Sequence, residues 1–231
     1  MGFSDDLRTQ VETIFSSLWE TRDGRIVPED SDIQLGNDAV KLDATVLYAD
    51  MDGSTSLVDN RSQEFSAEIY KSFLLCAAKI IKNEGGVITA YDGDRIMAVF
   101  IGDSKNTSAA RTALGINWAV TNLINPENER AYGTRAYKLN HVVGIDTSSL
   151  FVARTGVRGA NDLVWVGRAA NHAAKLTSLS NEYTSYITED VYDKLNDSSK
   201  YSSSGENMWR QLIWKDMNRV VYGSTWWRSV T

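Results

Sequence analysis

The sequence contains one cysteine, two prolines and no long apolar run, and each scarcity excludes a class of protein. A single thiol, Cys76, cannot form an internal disulfide, so we expect a reducing compartment. The longest apolar stretch, residues 73–81, is interrupted by Lys79 and is too short to span a bilayer. The first ten residues lack the apolar segment of a secretory signal. These absences predict a cytoplasmic protein with no membrane segment.

Positive charge is also in the minority, with 24 basic residues against 30 acidic ones and a net charge of −6. Binding to the nucleic-acid backbone depends on clustered lysine and arginine, and no basic run is present. We therefore expect no nucleic-acid partner. The 231 residues, 42% of them hydrophobic, have an ordinary globular composition and suffice for a large core.

The first forty residues differ from the rest of the chain. Apolar residues at helical spacing predict a helix over Phe3–Trp19, ended by Gly24, and residues 25–37 form a polar connector. This helix packs either on its own domain or on a second subunit. Residues 1–40 are thus an N-terminal helix and connector, and residues 41–231 the main domain. Five of the seven tryptophans lie in the C-terminal third, which is expected to close that domain with a last strand.

From residue 41 the pattern alternates between strands and helices. It predicts a strand at 44–49, a helix at 66–83, a hairpin of 87–91 with 96–101, a helix at 104–123 capped by Ser104, a strand pair of 137–146 with 150–153, and a helix at 167–178. The order strand–helix–strand–strand–helix–strand is that of a ferredoxin-like α+β sandwich.

Two carboxylates lie close after apolar strand segments, namely Asp50, three residues before Gly53, and Asp94, directly after Gly93. Each alone is compatible with a turn aspartate that bonds to its local backbone. Together they can hold a hard cation, which prefers oxygen ligands. A calcium loop of the EF-hand type is excluded, because its sixth and twelfth positions from Asp50 hold Thr55 and Arg61 rather than Gly and Glu.

A haloacid-dehalogenase-like phosphatase, with Asp50 as the nucleophile, stays open as an alternative. That family also shows an apolar strand followed by D-x-D-G. It requires a late acidic pair, and the matching position after Gly102-Asp103 is Thr107, which is not acidic.

Three motifs in order resemble the class III nucleotide cyclases. VLYADMDGST resembles the first metal motif, GGVITAYDGDRIMAVF the second, and GRAANHAAKL the helical motif G-x-x-x-N-x-A-x-R. The resemblance extends over Val46–Leu176, more than half of the chain. It implies a ferredoxin-like catalytic core, two divalent cations (Mn²⁺ or Mg²⁺), a nucleoside triphosphate substrate, and a head-to-tail homodimer with shared active sites.

The resemblance also implies roles for residues. Asp50, Asp94 and the main-chain carbonyl of Met51 match the metal ligands of the family. Asn171 matches the residue that orients the ribose, and Lys175 stands where the family has a transition-state arginine. Lysine keeps the charge but lacks the bidentate geometry of a guanidinium.

Further residues are expected to contact the substrate. Backbone N–H groups of Gly53, Ser54 and Thr55, in the turn after the first strand, can hold phosphate oxygens. Arg168, at the start of the third motif, is a further phosphate ligand candidate. Tyr48 shares a strand face with Asp50 and adds bulk and polarity to it.

The positions that select the base are apolar here. Purine cyclases place polar residues where this sequence has Ala90 and Val164. A site that binds adenine or guanine cannot lose both partners cheaply, since each lost buried hydrogen bond costs about 1–3 kcal/mol. A pyrimidine is therefore favoured. UTP is placed ahead of CTP because Arg154 and Arg158 can only donate hydrogen bonds, and uracil offers an acceptor at O4 where cytosine offers a donor.

The segment Ala153–Leu176 resembles the stand-alone bacterial pyrimidine cyclases of the Pycsar anti-phage systems. That resemblance implies a cyclic UMP or CMP messenger that activates a separate effector. Arg154 and Arg158 contact phosphate, contact the base or bridge subunits, and these choices stay open. An adenylate or guanylate cyclase and a degenerate nucleotide-binding domain are the remaining alternatives.

Overall fold

A computed structural model describes residues 2–230, which form nine strands and eight α-helices. The strands are β1 (Glu20–Asp23), β2 (Asp38–Asp52), β3 (Val87–Asp92), β4 (Arg95–Phe100), β5 (Asn140–Val157), β6 (Ala160–Val166), β7 (Ser185–Thr188), β8 (Arg210–Trp214) and β9 (Arg219–Ser224). The helices are α1 (Phe3–Ser16), α2 (Ser54–Asn60), α3 (Gln63–Asn83), α4 (Lys105–Ala119), α5 (Asn125–Tyr132), α6 (Arg168–Leu176), α7 (Glu189–Asp193) and α8 (Asp197–Lys200).

The chain divides into two compact units, and the smaller one consists of the residues through Asp43 together with Ser149–Gly167. In it β1 pairs in parallel with the first part of β2, and β6 forms an antiparallel hairpin with the last part of β5. Helix α1 ends at Ser16, earlier than predicted, and none of its residues is buried. The short strand β1 lies in what was predicted to be the end of that helix.

The larger unit, Ala44–Ser148 with the residues from Arg168 onward, contains the predicted sandwich. Its strands lie in the order β3-β4-β2-β5-β7-β9-β8. The first four of these, with α3 after β2 and α4 after β4, have the ferredoxin-like order. The core between sheet and helices includes several large, fully buried side chains, namely Phe73, Ile81, Phe100, Leu114 and Ile145.

Helix α3 shows how the sequence sets the core. Its N-cap is Ser62, whose hydroxyl accepts a hydrogen bond from the Phe65 N–H at 3.3 Å. Its end is set by two glycines. Gly85 adopts a positive φ of 81°, and a Cβ on Gly86 would lie 2.6 Å from the ring of Phe100.

Two predictions about elements are wrong. The predicted strand pair of residues 137–146 and 150–153 is one continuous strand, β5, whose hairpin partner is the unpredicted β6. Ser104 occupies the N-cap position of α4 but makes no capping hydrogen bond with its side chain. The helix itself continues through a π-helical turn at Val120–Ile124 into α5. Over residues 2–230, no helix has both the length and the apolar character needed to cross a membrane.

Candidate functional site

The two predicted metal carboxylates lie at the same end of neighbouring strands. Asp50 is near the end of β2, and Asp94 is in the turn between β3 and β4, beside Gly93 with φ of 61°. Because Ala49 pairs with Ile96, the turn of the hairpin lies next to Asp50. The pKa of the Asp50 carboxyl is raised mainly by burial, and the negative charge of Asp94 adds to the rise.

Arg95 is a member of this site that the motif comparison missed. Its Nη2 lies 2.9 Å from Asp50 Oδ2, and its Nε lies 3.2 Å from the same oxygen. Burial of the Asp50 carboxyl raises its pKa most, and the guanidinium of Arg95 offsets part of that rise. The sequence clue to Arg95 is its position directly after Asp94, which places a basic residue at the start of the strand that pairs with β2.

Asp94 lacks such a partner. Its Oδ2 is buried and accepts no hydrogen bond, an arrangement that leaves a carboxylate oxygen without compensation. A divalent cation would supply the missing partner, and Mg²⁺ is usually bound through one or two carboxylates with substrate phosphates completing its ligands. No group of three or more His, Cys, Asp or Glu side chains is placed to hold a metal within residues 2–230. The two aspartates therefore fit a cation shared with substrate rather than a closed protein site.

The turn after β2 has the form expected of a phosphate loop. Gly53 has a φ of 77° and precedes α2, whose first residues are Ser54 and Thr55. The Tyr137 hydroxyl lies 3.3 Å from the Asp52 carbonyl oxygen and 3.5 Å from that of Gly53. These contacts fix the backbone conformation from which the predicted N–H groups would reach phosphate.

A second side chain supports the same turn. Asn181 donates a hydrogen bond to Asp52 Oδ2 at 2.7 Å. Tyr137 and Asn181 also line a cavity of about 530 Å³, and among residues 2–230 none of the predicted site residues belongs to its lining. Neither residue belongs to the three motifs, so the sequence offered no signal for them.

Helix α6 carries the two predicted catalytic residues on its outer face. Ala169, Ala170, His172, Ala173 and Leu176 are buried, whereas Asn171 and Lys175 are exposed. Within residues 2–230 neither Asn171 nor Lys175 makes a side-chain hydrogen bond or ion pair. The protomer therefore does not join them to Asp50 or Asp94 by any polar contact.

Arg168 is held by protein groups. Its Nε lies 3.2 Å from Asp146 Oδ2, and its Nη2 donates to the Thr147 carbonyl oxygen at 2.7 Å. The same Nη2 donates to the Asp190 carboxylate. Arg168, the predicted phosphate ligand, thus already uses the Nε–Nη2 edge of its guanidinium for contacts within the protein.

The residues predicted to face the base fall in two groups. Tyr48 pairs with Met97 across β2 and β4, and Met97 pairs with Ala90 across β4 and β3. Directly opposed residues point to the same face of a sheet, so these three form one row. Burial raises the pKa of the Tyr48 phenol, so Tyr48 is neutral at pH 7.

The second group lies in the smaller unit. Val164 is on β6, 38% exposed, opposite Ala153. Arg154 donates to Asn161 Oδ1 at 2.7 Å and to the Ile33 carbonyl oxygen at 3.3 Å, so it joins the β5–β6 hairpin to the segment before β2. Arg158, in the turn between β5 and β6, is exposed.

No protein-family model matches the chain. A uridylate cyclase of Xanthomonas perforans is 56% identical over 231 residues, covering 99% of both chains. A uridylate cyclase of Burkholderia cepacia is 54% identical over 228 residues, covering 98% of both.

Solved structures show the same fold at low identity. An adenylyl cyclase of P. aeruginosa matches with a TM-score of 0.67 and 22% identity, over 80% of this chain and 95% of the other. A bacterial light-regulated adenylyl cyclase matches with a TM-score of 0.69 and 17% identity, over 84% of this chain and 54% of the other. The ferredoxin-like unit described above is the fold that these catalytic domains share.

Proposed function

Because the chain belongs to the uridylate cyclase family within the class III nucleotide cyclases, we propose that it converts UTP to 3′,5′-cyclic UMP and pyrophosphate. CTP is the second candidate substrate. The ribose 3′-oxygen attacks the α-phosphorus, the bond from that phosphorus to the bridging oxygen of pyrophosphate breaks, and the proton of the 3′-hydroxyl is released.

The observation that carries this proposal is the pair of neighbouring carboxylates, one of which has a buried oxygen without a partner. Asp50, Asp94 and the Met51 carbonyl would hold two divalent cations, Mn²⁺ or Mg²⁺. When bound, such cations lower the pKa of the 3′-hydroxyl and neutralise the triphosphate. Arg95 donates two hydrogen bonds to Asp50 Oδ2, so a cation beside Asp50 would share that carboxylate with the guanidinium.

The remaining roles fall to groups that bind and orient the substrate. Backbone N–H groups of Gly53, Ser54 and Thr55 hold phosphate oxygens, and Asn171 orients the ribose. The Lys175 ammonium offsets the charge that develops on the α-phosphoryl oxygens. As a point charge it gives less directional stabilisation than an arginine, so efficiency rather than reaction type would be affected.

The active site is proposed to be shared between two protomers. Asn171 and Lys175 are exposed and make no polar side-chain contact within residues 2–230, which leaves them available to another chain. A homodimer with two-fold symmetry would place them opposite the carboxylates of the partner and create two identical sites.

The base is proposed to be a pyrimidine. The row of Tyr48, Met97 and Ala90 offers one phenol hydroxyl, and Ala90 and Val164 offer no side-chain hydrogen bond to a purine. Adenine or guanine would thereby bury polar groups without partners, which costs affinity in the transition state.

We also propose a division of the chain and a cellular role. Residues 41–231 are the catalytic domain, and residues 1–40 precede it as a helix and connector. The product acts as a second messenger for a separate effector in anti-phage defence, a role that rests on the resemblance of Ala153–Leu176 to the Pycsar cyclases.

The test is turnover of UTP, CTP, ATP and GTP in equimolar competition with Mn²⁺, with the products separated by chromatography. We expect cyclic UMP as the main product and none from Asp94→Ala. Cyclic AMP as the main product would instead identify an adenylate cyclase. Phosphate release from a monoester, with an acid-stable adduct on Asp50, would identify a phosphatase, and binding without turnover a degenerate domain.

A further inference from the structure

We propose that Arg168 is a positioning residue, which holds the catalytic helix α6 in place through the buried carboxylate of Asp146. This replaces its predicted role as a phosphate ligand. The proposal rests on the proposed cyclase activity for its kinetic test only.

Asp146 on β5 is the centre of the arrangement. It is 0% exposed, and it accepts a hydrogen bond from the Thr188 hydroxyl at 2.6 Å. On its other oxygen, Arg168 Nε lies at 3.2 Å, and His172 Nδ1 lies at the same distance without forming a hydrogen bond. A fully buried carboxylate requires such partners, because an isolated buried charge is strongly unfavourable. Strand β7 and helix α6 are therefore tied to the same side chain of β5.

The guanidinium of Arg168 is committed to this network. Its Nε and Nη2 form the edge that would grip a phosphate bidentately. That edge already serves Asp146, the Thr147 carbonyl and the Asp190 carboxylate. If this edge bound a phosphate instead, the buried Asp146 carboxylate would lose the positive charge of the Arg168 guanidinium.

Two backbone contacts fix the same helix on β5. The Ala169 N–H donates to Ser148 Oγ at 2.9 Å. A Cβ on Gly144 would lie 2.2 Å from the Ala173 carbonyl oxygen, so the helix packs directly on the strand backbone there. With the Asp146 network these contacts hold both the start and the middle of α6.

Asn171 and Lys175 are exposed on α6, three and seven residues after Arg168. At 3.6 residues per turn these three side chains lie within about 60° of one another around the helix axis, so the anchored arginine and the catalytic residues belong to one short rigid element. A displacement of about 1 Å in a catalytic group can cost about 100-fold in rate. Loss of the network should therefore slow the chemical step without removing a substrate contact.

A double-mutant cycle on the full-length protein tests this. We expect Arg168→Gln and Asp146→Asn each to lower kcat about 10- to 100-fold while KM for UTP changes less than about threefold. The kcat of the double variant should be no lower than that of the less active single variant, because both substitutions break the same interaction. Arg130→Gln, which removes an exposed arginine from α5, is the matched control and should be unaffected.

The proposal would be overturned if the losses in kcat of the two single variants multiplied in the double variant. It would also be overturned, in favour of a phosphate ligand, if Arg168→Gln alone showed a large rise in KM and weaker inhibition by pyrophosphate. If Asp146→Asn fails to fold, the comparison of Arg168→Gln with Arg130→Gln by hydrogen exchange decides the question without it. Amide hydrogen exchange gives a readout that needs no turnover. Residues 168–176 should exchange faster in Arg168→Gln than in Arg130→Gln, and equal rates would contradict the proposal even in a protein without cyclase activity.

Discussion

Arg95 and Asp50 form an ion pair at the centre of the proposed metal site, with Nη2 and Oδ2 2.9 Å apart. The arginine comes directly after Asp94, yet it neutralises the other carboxylate and leaves the Asp94 Oδ2 without a partner. The two carboxylates are therefore not equivalent, and their removal should differ in its effect on stability as well as on activity.

Removal of either carboxylate should abolish cyclase activity. We expect Asp50→Ala and Asp94→Ala each to lose at least about 100-fold in kcat/KM, because each removes an oxygen ligand of the proposed cations. Asp103→Ala, an exposed carboxylate in the turn before α4, is the control and should keep activity. Near-normal turnover in either first variant would contradict the metal assignment.

Asp50→Ala and Asp94→Ala should differ in Tm when thermal unfolding is measured without metal. Asp50→Ala leaves Arg95 without its partner and should lower Tm. Asp94→Ala removes a buried oxygen that lacks a hydrogen bond, together with its repulsion of Asp50, and should leave Tm unchanged or raise it. A larger fall in Tm for Asp94→Ala would contradict the described asymmetry.

Two inactive variants should restore activity when mixed. Asp94→Ala and Lys175→Ala damage opposite halves of a shared site, so half of the randomly formed dimers contain one intact site. About a quarter of the wild-type activity is expected after subunit exchange. A mixture of Asp94→Ala with Asp50→Ala is the control, since both damage the same half and no intact site forms. Absence of recovery after demonstrated exchange would refute sharing.

Tyr48 should set the choice of base. Tyr48→Ala should enlarge the space beside Ala90 and reduce the preference for UTP over ATP in kcat/KM, since discrimination lies in transition-state binding. Tyr48→Phe keeps the ring and isolates the contribution of the hydroxyl. An unchanged preference in Tyr48→Ala would exclude this residue from base selection.

His141 should make stability depend on pH. Complete burial lowers its pKa to about 4, whereas the unfolded chain titrates near 6.5. The unfolded state therefore binds the proton first, so the free energy of unfolding should fall by about 2 kcal/mol between pH 7 and pH 5. Urea unfolding at the two pH values measures this. His141→Gln should lose about that much of the dependence, and an undiminished fall in the variant would contradict it.

The sequence predicted the elements whose signals are local. The alternation around Asp94 identified the β3–β4 hairpin, and the apolar spacing from Ile69 to Ile81 identified α3. Both signals arise from residues adjacent on one element, where side-chain period and capping dominate. The order of these elements was sufficient to predict the ferredoxin-like unit.

Contacts between distant segments were not predictable in the same way. The Asp50–Arg95 pair joins residues 45 positions apart, and the partners of Arg168 come from β5 and α7. The pattern predicts two strands where the structure has the single strand β5, with residues 147–149 as the interruption. Thr147 is nevertheless buried, with its hydroxyl bonded to Thr45 and the Ala44 carbonyl.

The exposure of Asn171 and Lys175 has a consequence for when the enzyme works. If every site needs one half from each of two chains, a solitary protomer is inert, and at dilutions where protomers separate the output rises with the square of the protein concentration. A cell that keeps few copies would then hold the reaction silent by mass action alone. Each doubling of copy number would yield about four times the product. The exposed position of these two residues would thus make activity depend steeply on protein concentration, in addition to their role in catalysis.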